Sequence, residues 1–237
     1  METINNVQLK EVVRDFLLTT NPSQPLLIWG KPMTGKMTII DGVVEEMKFY
    51  KLLKNEDKYN LSGDPRKIMI LKSLKIDLGS FDTDHAEKLA FERFSCCRKI
   101  FSTESDNPHI IIQGDIRDEK EDQAIITAVT RQCNALAYKY ELTLQDWCEW
   151  ATETRRINPY IVHFVKQHPQ WFYDCPKGSL SPVSPYKWEV ASKYIYNRGE
   201  MLSSGMLNTD SFLHKLIMSG ACYHPLDDFE SWLQNGL

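Results

Sequence analysis

One short segment, residues 26–38, carries the residue types and spacing best suited to chemistry. Its first four residues are apolar, and the pattern Gly30-x-x-x-x-Gly35-Lys36 follows at once. In a loop with this spacing, backbone N–H groups converge on phosphate oxygens, and the next helix points its positive end at them. The lysine side chain reaches the terminal phosphates. The residues predicted to bind the phosphates of ATP or ADP are Gly30, Lys31, Pro32, Met33, Thr34, Gly35, Lys36, Met37 and Thr38.

This loop departs from the usual phosphate-binding pattern at Met37. The residue after the lysine is ordinarily Ser or Thr, whose hydroxyl binds Mg²⁺. Thr38 comes one residue late, about 100° further round a helix of roughly 3.6 residues per turn. We therefore predict a site that holds phosphate but binds Mg²⁺ poorly, and we assign no metal ligand. A purely structural interpretation is also open, in which the two glycines only turn a strand into a helix.

Composition and charge restrict the functional class. The chain has 237 residues, 42% of them apolar and 25% charged, which is typical of a globular protein of one or two domains. Its net charge of −4 provides no general attraction to nucleic acid, so such binding is possible only through a local basic patch. No apolar run approaches the roughly 20 residues of a membrane span, so we expect no membrane association.

The N-terminus and the cysteines favour a cytoplasmic protein. Residues 1–6 lack the charged leader and apolar core of a secretory signal. The six cysteines include no C-x-x-C pair, and we expect reduced, mostly buried thiols.

Apolar periodicity over residues 1–141 predicts an α/β domain. Strands that alternate with helices favour a parallel sheet covered by helices on both faces. One of the predicted helices spans residues 85–101, where apolar side chains recur at helical spacing. The other predicted helices cover residues 7–17, run from the loop through Val43 and Val44 to Met47, and pass through Ile125 and Val129. The predicted strands lie at residues 26–29, 49–53, 68–71, 109–112 and 135–140.

From Thr143 onward the pattern changes to helices only, which predicts a second domain at residues 142–237. Three polar residues stand where helices should begin: Thr143, Asn158 before a proline, and Ser184 before a proline. The predicted helices lie at residues 144–154, 159–167, 185–197, 210–219 and 225–234.

Several short motifs of this second domain occur together and in a fixed order. They are Trp147-Cys148-Glu149-Trp150-Ala151, Ile157-Asn158-Pro159 through Phe164, His168-Pro169, Ser184-Pro185-Tyr186-Lys187-Trp188-Glu189 and Phe229-Glu230-Ser231-Trp232-Leu233. This series resembles the lid of MoxR-type AAA+ ATPases, and the resemblance extends with gaps over residues 7–235. It implies a P-loop parallel-sheet domain at residues 1–141, an α-helical lid at residues 142–237, and assembly with other AAA+ subunits or a protein partner. Within the lid, the tryptophans and Phe164 are expected to form the core.

The family's acidic motif, an apolar strand that ends in Asp-Glu, is absent. Its Asp holds the Mg²⁺ shell and its Glu activates the attacking water. Two strands of this chain could correspond to the family's acidic strand. In the alignment we favour, the strand at residues 67–71 corresponds to it, and Gln113 or Asp115 is then the polar residue at the sensor position. In the other alignment, the strand at residues 109–112 corresponds to it, and Asp115 is then a lone candidate on the metal side. A third reading is that Asp115, which follows Gly114, only makes a turn.

Of the two cations that the family places near the nucleotide, one is replaced in this chain and the other is retained. The lid arginine is replaced by Tyr186, and Lys187, one residue later, is the candidate sensor. Arg131 lies where many such proteins place the arginine that contacts a neighbouring subunit's nucleotide. With Asp115, Arg131 completes the predicted catalytic candidates.

These features predict a nucleotide-binding, MoxR-like AAA+ module that remodels or regulates a partner assembly. Because the hydroxyl, the Asp-Glu pair and the lid arginine are all missing, ATP hydrolysis should be weak or absent. One alternative is a scaffold or inhibitor that keeps the fold without binding nucleotide. Another is a subunit similar to those of clamp loaders, which rests on fold analogy alone.

Overall fold

The computed structural model describes residues 1–18, 24–47, 50–51, 58–60, 92–102, 108–117, 122–123, 126–127, 130–131, 134–154, 156–174, 183–197, 228–229 and 231–232. The chain divides into two compact units, Met1–Glu141 and Leu142–Leu237. The division coincides with the change from alternating strands and helices to helices alone. Within the described part, no helix is long and apolar enough to cross a membrane.

The first unit is built on one sheet, to which the described residues contribute seven strands. They are β1 (Glu2–Ile4), β2 (Leu26–Gly30), β3 (Tyr50–Lys51), β4 (Lys58–Asn60), β5 (Phe94–Ser102), β6 (His109–Asp115) and β7 (Leu136–Tyr140). The order across the sheet is β1-β7-β2-β6-β5-β3, and β4 also pairs with β5. The first four strands in this order are parallel. Strand β5 is antiparallel to β6, and both β3 and β4 are antiparallel to β5.

The predicted α/β class is confirmed, and the expectation of a parallel sheet holds only for four strands. Strands β2, β3, β6 and β7 lie within or close to the ranges predicted from apolar runs. The strand predicted at residues 68–71 lies outside the described residues. Strand β2 is buried along its whole length between β6 and β7, which explains its unbroken apolar sequence.

The helix predicted at residues 85–101 is wrong over its C-terminal part, where the chain forms β5. Its register against β6 shifts between Phe94 and Cys96, so Ser95 is the extra residue of a bulge. Because strand side chains alternate between faces, this one extra residue puts Phe94 and Cys97 on the same face. Both are buried, and their separation of three residues has the spacing of a helix.

Two helices of the first unit have the predicted positions. Helix α1 spans Asn6–Leu18 and buries Leu9, Val13, Phe16 and Leu17. Helix α2 spans Lys36–Glu46 and packs against α1. Of the helix predicted before β7, the described residues 122–123, 126–127 and 130–131 are helical.

Three helices of the second unit begin at the polar residues that predicted them. They are α3 (Leu144–Thr154), α4 (Pro159–Gln167) and α5 (Pro185–Asn197). The Thr143 hydroxyl accepts the Asp146 N–H at 3.1 Å, Asn158 Oδ1 accepts the Tyr160 N–H at 3.0 Å, and Ser184 Oγ accepts the Lys187 N–H at 3.3 Å. The helix predicted at residues 210–219 lies outside the described residues. Residues 228–229 and 231–232, within the last predicted helix, are helical.

Aromatic side chains form the core of the second unit, as predicted. Phe164 is fully buried, and its ring contacts those of Trp188, Phe229 and Trp232 at centroid distances of 5.1–5.9 Å. Trp188 Nε1 donates to the Trp171 carbonyl at 2.9 Å, so its polar edge is satisfied within the core.

The cysteines that the structure describes, Cys96, Cys97 and Cys148, form no disulfide. Burial raises the pKa of the Cys97 thiol to about 12, so this thiol stays protonated at neutral pH.

Two glycine-to-alanine substitutions should have opposite effects on stability. A Cβ atom at Gly114 would lie 2.1 Å from the ring of Trp29, whereas a Cβ atom at Gly42 would meet no described atom within 4 Å. Gly114→Ala should lower the free energy of unfolding by about 1–3 kcal/mol through overpacking. Gly42→Ala, inside α2, should raise it by about 0.5–1 kcal/mol.

Urea denaturation of both variants and the wild type, followed by tryptophan fluorescence, measures these differences. Equal stability of the Gly114→Ala variant and the wild type would contradict the close packing of β6 on Trp29.

Candidate functional site

The predicted loop lies at the carboxyl edge of the parallel strands. Gly30, the last residue of β2, stands in register with Asp115 of β6 and Tyr140 of β7. The Ile116 N–H donates to the Gly30 carbonyl at 3.0 Å, so the chain that leaves β6 also holds the start of the loop. Open α/β sheets bind ligands at this edge, where loops rather than strands meet solvent.

The two motif glycines serve different steric needs. A Cβ atom at Gly30 would lie 2.5 Å from the Tyr140 carbonyl oxygen, so only glycine fits between the strands. Gly35 has φ of 80°, a left-handed conformation that favours glycine, and a Cβ atom there would meet no described atom within 4 Å. Met33 also has a positive φ, of 58°. Among the described residues, Gly35 therefore leaves open space where α2 begins.

Helix α2 begins without a side-chain cap. Gly35 is its N-cap residue and makes no side-chain hydrogen bond, since glycine has no side chain. The Thr34 hydroxyl donates to the Lys31 carbonyl at 2.8 Å instead of capping the helix. The first N–H groups of a helix need acceptors from a cap, from water or from a ligand. An anion of suitable size meets this need and interacts favourably with the helix dipole.

Lys36 is the centre of the site. Its side chain is 1% exposed, and its ammonium group donates to the carbonyls of Gly30 at 2.9 Å and Lys31 at 2.6 Å. A third bond joins Lys36 Nζ to Asp115 Oδ1 at 3.2 Å. An ammonium group has three donors, so all three are used. Burial lowers the pKa of Lys36, while the negative charge of Asp115 acts in the opposite direction.

Asp115 is held by a short polar chain that crosses two strands. Gln113 Nε2 donates to Asp115 Oδ1 at 3.0 Å and to Ser95 Oγ at 2.6 Å. Asp115 is the last residue of β6, which runs through Gly114 without turning, so the turn-forming interpretation is wrong. Its carboxylate forms an ion pair with Lys36 and has a side-chain exposure of 11%.

Met37 and Thr38, the two residues after Lys36, differ in their exposure. Met37 is buried on the core face of α2, and Thr38 is exposed. Neither supplies the hydroxyl that would bind Mg²⁺ beside a phosphate. Among the described residues, no three His, Cys, Asp or Glu side chains gather as a metal-ligand set. Beside a nucleotide, Mg²⁺ takes one or two carboxylates together with waters and phosphate oxygens, so poor binding of Mg²⁺ stays a prediction.

The two other predicted cations lie elsewhere in the chain, Arg131 in the first unit and Lys187 in the second. Arg131 is exposed, and the Thr130 carbonyl beside it accepts the Ala135 N–H at 3.2 Å, just before β7 begins. Arg131 therefore lies near the amino edge of the sheet, opposite the loop. Lys187 belongs to the second unit, in the first turn of α5. The proposed roles of both residues stay predictions.

Sequence reasoning did not predict the Lys36–Asp115 ion pair or the part played by Ser95. The paired residues are 79 positions apart, and no local pattern links them. Ser95 fell within a predicted helix. A polar residue between Phe94 and Cys96 is a weak signal of a bulge.

Comparisons of the chain with protein-family models, curated proteins and solved structures found no match. Function therefore has to be inferred from the loop and its surroundings.

Proposed function

We propose that the first unit binds the phosphates of ATP or ADP at residues 30–38, and that the protein is an AAA+-like module with little or no ATPase activity. In this proposal the bound nucleotide regulates a protein partner or other AAA+ subunits. The observation that carries it is the buried Lys36 ammonium at the uncapped start of α2. The order of motifs in the second unit supports the lid assignment by resemblance only.

Burial of Lys36 favours a functional role over a purely structural one. Removal of an ammonium group from water costs several kcal/mol even after the surroundings relax. A loop that only had to turn could be closed by an apolar residue without this penalty. In the structure the positive charge sits between the carboxyl ends of β2 and β6, next to open space over Gly35. Phosphate is the ligand class that such a loop and helix start suit best.

Weak hydrolysis follows from the groups around Lys36. Met37 supplies no metal ligand, and Asp115 has no adjacent carboxylate in the sequence. A residue that stabilises the transition state of phosphoryl transfer is alone worth on the order of 10³–10⁵ in rate. Several such losses together favour binding without turnover.

One observation favours the alternative of a scaffold that binds no nucleotide. All three donors of Lys36 are satisfied inside the protein, so the loop is stable as it stands. Under this alternative the ion pair only joins α2 to β6. Measurements of nucleotide binding distinguish this scaffold from the nucleotide-binding module.

Lys36→Ala should weaken nucleotide binding roughly ten- to hundredfold, because a hydrogen bond to a charged group contributes about 1.5–3 kcal/mol. Binding by the wild type should persist when Mg²⁺ is removed with EDTA, and ATP and ADP should bind with similar affinity. Isothermal titration calorimetry with each nucleotide, with and without Mg²⁺, measures this.

Two further variants make the result unambiguous. Lys36→Ala leaves a buried carboxylate unpaired, so the double variant Lys36→Ala/Asp115→Asn serves as a version without that charge. Lys10→Ala, at an exposed lysine of α1, is the matched control and should bind like the wild type. A tight ATP complex that strictly requires Mg²⁺ would contradict the proposal, and no binding by the wild type would favour the scaffold.

The purified chain should show turnover far below the ~1 s⁻¹ of ordinary enzymes. Met37→Ser should not restore activity, because the hydroxyl would return without the water-activating carboxylate. Phosphate release measured over hours, with a Lys36→Ala sample to reveal contaminating ATPases, tests this. Ordinary turnover by the chain alone would refute it.

Arg131→Ala should weaken self- or hetero-association in the presence of ADP, if Arg131 contacts a neighbouring subunit's nucleotide. Stability should change by no more than about 0.5 kcal/mol, since the side chain is exposed. Sedimentation of wild type and variant with and without ADP provides the comparison, and Arg14→Ala is the matched surface control. Identical assembly of wild type and Arg131→Ala would leave Arg131 as an ordinary surface cation.

A further inference from the structure

We propose that Asp115 is a specificity-determining residue of the loop, which competes with phosphate for Lys36 and thereby selects against highly charged ligands. This inference rests on the proposed phosphate binding and concerns the same site. In this role Asp115 weakens the binding of ATP. A metal ligand or a catalytic acid at the same position would instead aid the binding or the reaction of ATP.

The three acceptors around Lys36 differ in how readily they can yield to a ligand. Two are backbone carbonyls, and the Gly30 carbonyl also accepts the Ile116 N–H. Their displacement would move the loop and the strand that precedes it. The third is the Asp115 carboxylate, on a side chain with its own rotatable bonds and with the longest of the three contacts, 3.2 Å. A phosphate oxygen that binds Lys36 therefore takes the place of Asp115.

Once displaced, Asp115 remains close to the ligand, and its remaining hydrogen bond among the described residues is with a neutral side chain. Gln113 still donates to Asp115 Oδ1 from β6, and Gln113 in turn contacts Ser95 of β5. Both of these partners are neutral. The nearby arginines of β5 and the segment before it are already paired, Arg98 with Asp41 and Arg93 with Asp122. In the contacts that the described residues make, two negative groups therefore share the Lys36 ammonium.

Repulsion in such a site grows with the charge of the ligand. Metal-free ATP carries one more negative charge than ADP, so Asp115 should oppose ATP more strongly. The γ-phosphate contact with Lys36 favours ATP, and the two effects act against each other. The structure therefore provides a physical reason for similar affinities of ATP and ADP in the wild type.

Asp115→Asn tests the proposal with little change in shape. An asparagine side-chain oxygen can still accept from Lys36 and from Gln113, so the empty site keeps its hydrogen bonds. In EDTA, the variant should bind ATP about tenfold or more tightly than the wild type, and the gain for ADP should be smaller. Calorimetric titration with ATP, ADP and inorganic pyrophosphate measures the ratio of affinities, which a merely structural role would not alter.

Glu46→Gln is the matched control, because it removes the same charge from an exposed side chain of α2 that is paired with Arg14. Its affinities for ATP and ADP should equal those of the wild type. Weaker ATP binding by Asp115→Asn would overturn the inference, because the carboxylate would then aid the binding of ATP instead of opposing it. An unchanged ATP-to-ADP ratio would overturn it in favour of a structural ion pair. If neither the wild type nor Asp115→Asn binds any of the three ligands, the proposed function itself fails.

Discussion

The first unit depends on how the protein accommodates one buried positive charge. Lys36 is enclosed by the carbonyls of Gly30 and Lys31 and by the Asp115 carboxylate, which together use its three donors. Burial lowers the pKa of this ammonium group, and the negative charge of Asp115 counteracts that effect. The same contacts join the end of β2, the start of α2 and the end of β6. The contacts of Lys36 therefore hold the loop in its conformation and also place the positive charge of the site.

Close packing of the central strands makes these contacts possible. Gly30 lies against the Tyr140 carbonyl of β7, and Gly114 lies against the ring of Trp29, with no room for a Cβ atom at either position. Larger residues would push β6 and β7 away from β2. Since Asp115 follows Gly114 directly, the fit of Trp29 over the glycine also sets the distance between the carboxylate and Lys36. Packing in the sheet and chemistry at its edge are thus coupled.

The second unit relies on different means. Its helices begin at polar caps supplied by Thr143, Asn158 and Ser184, and the aromatic cluster around Phe164 fills the space between them. Caps act within one turn of helix, and aromatic rings bury large areas per residue. These are local and strongly patterned features.

The amino-acid sequence by itself determined what depends on neighbouring residues. The strand before Gly30, the loop that follows it and the three capped helix starts could all be predicted, because each depends on residues within one or two turns. Only the tertiary structure decided that Phe94–Ser102 form a strand and that Lys36 forms an ion pair with Asp115. A one-residue bulge at Ser95 gave the strand a helical spacing, and the antiparallel pairing of β5 with β6 brought Ser95 to Gln113. Lys36 and Asp115 meet across 79 residues because β2 and β6 are neighbours in register, and strand order across a sheet is set by packing of the whole unit.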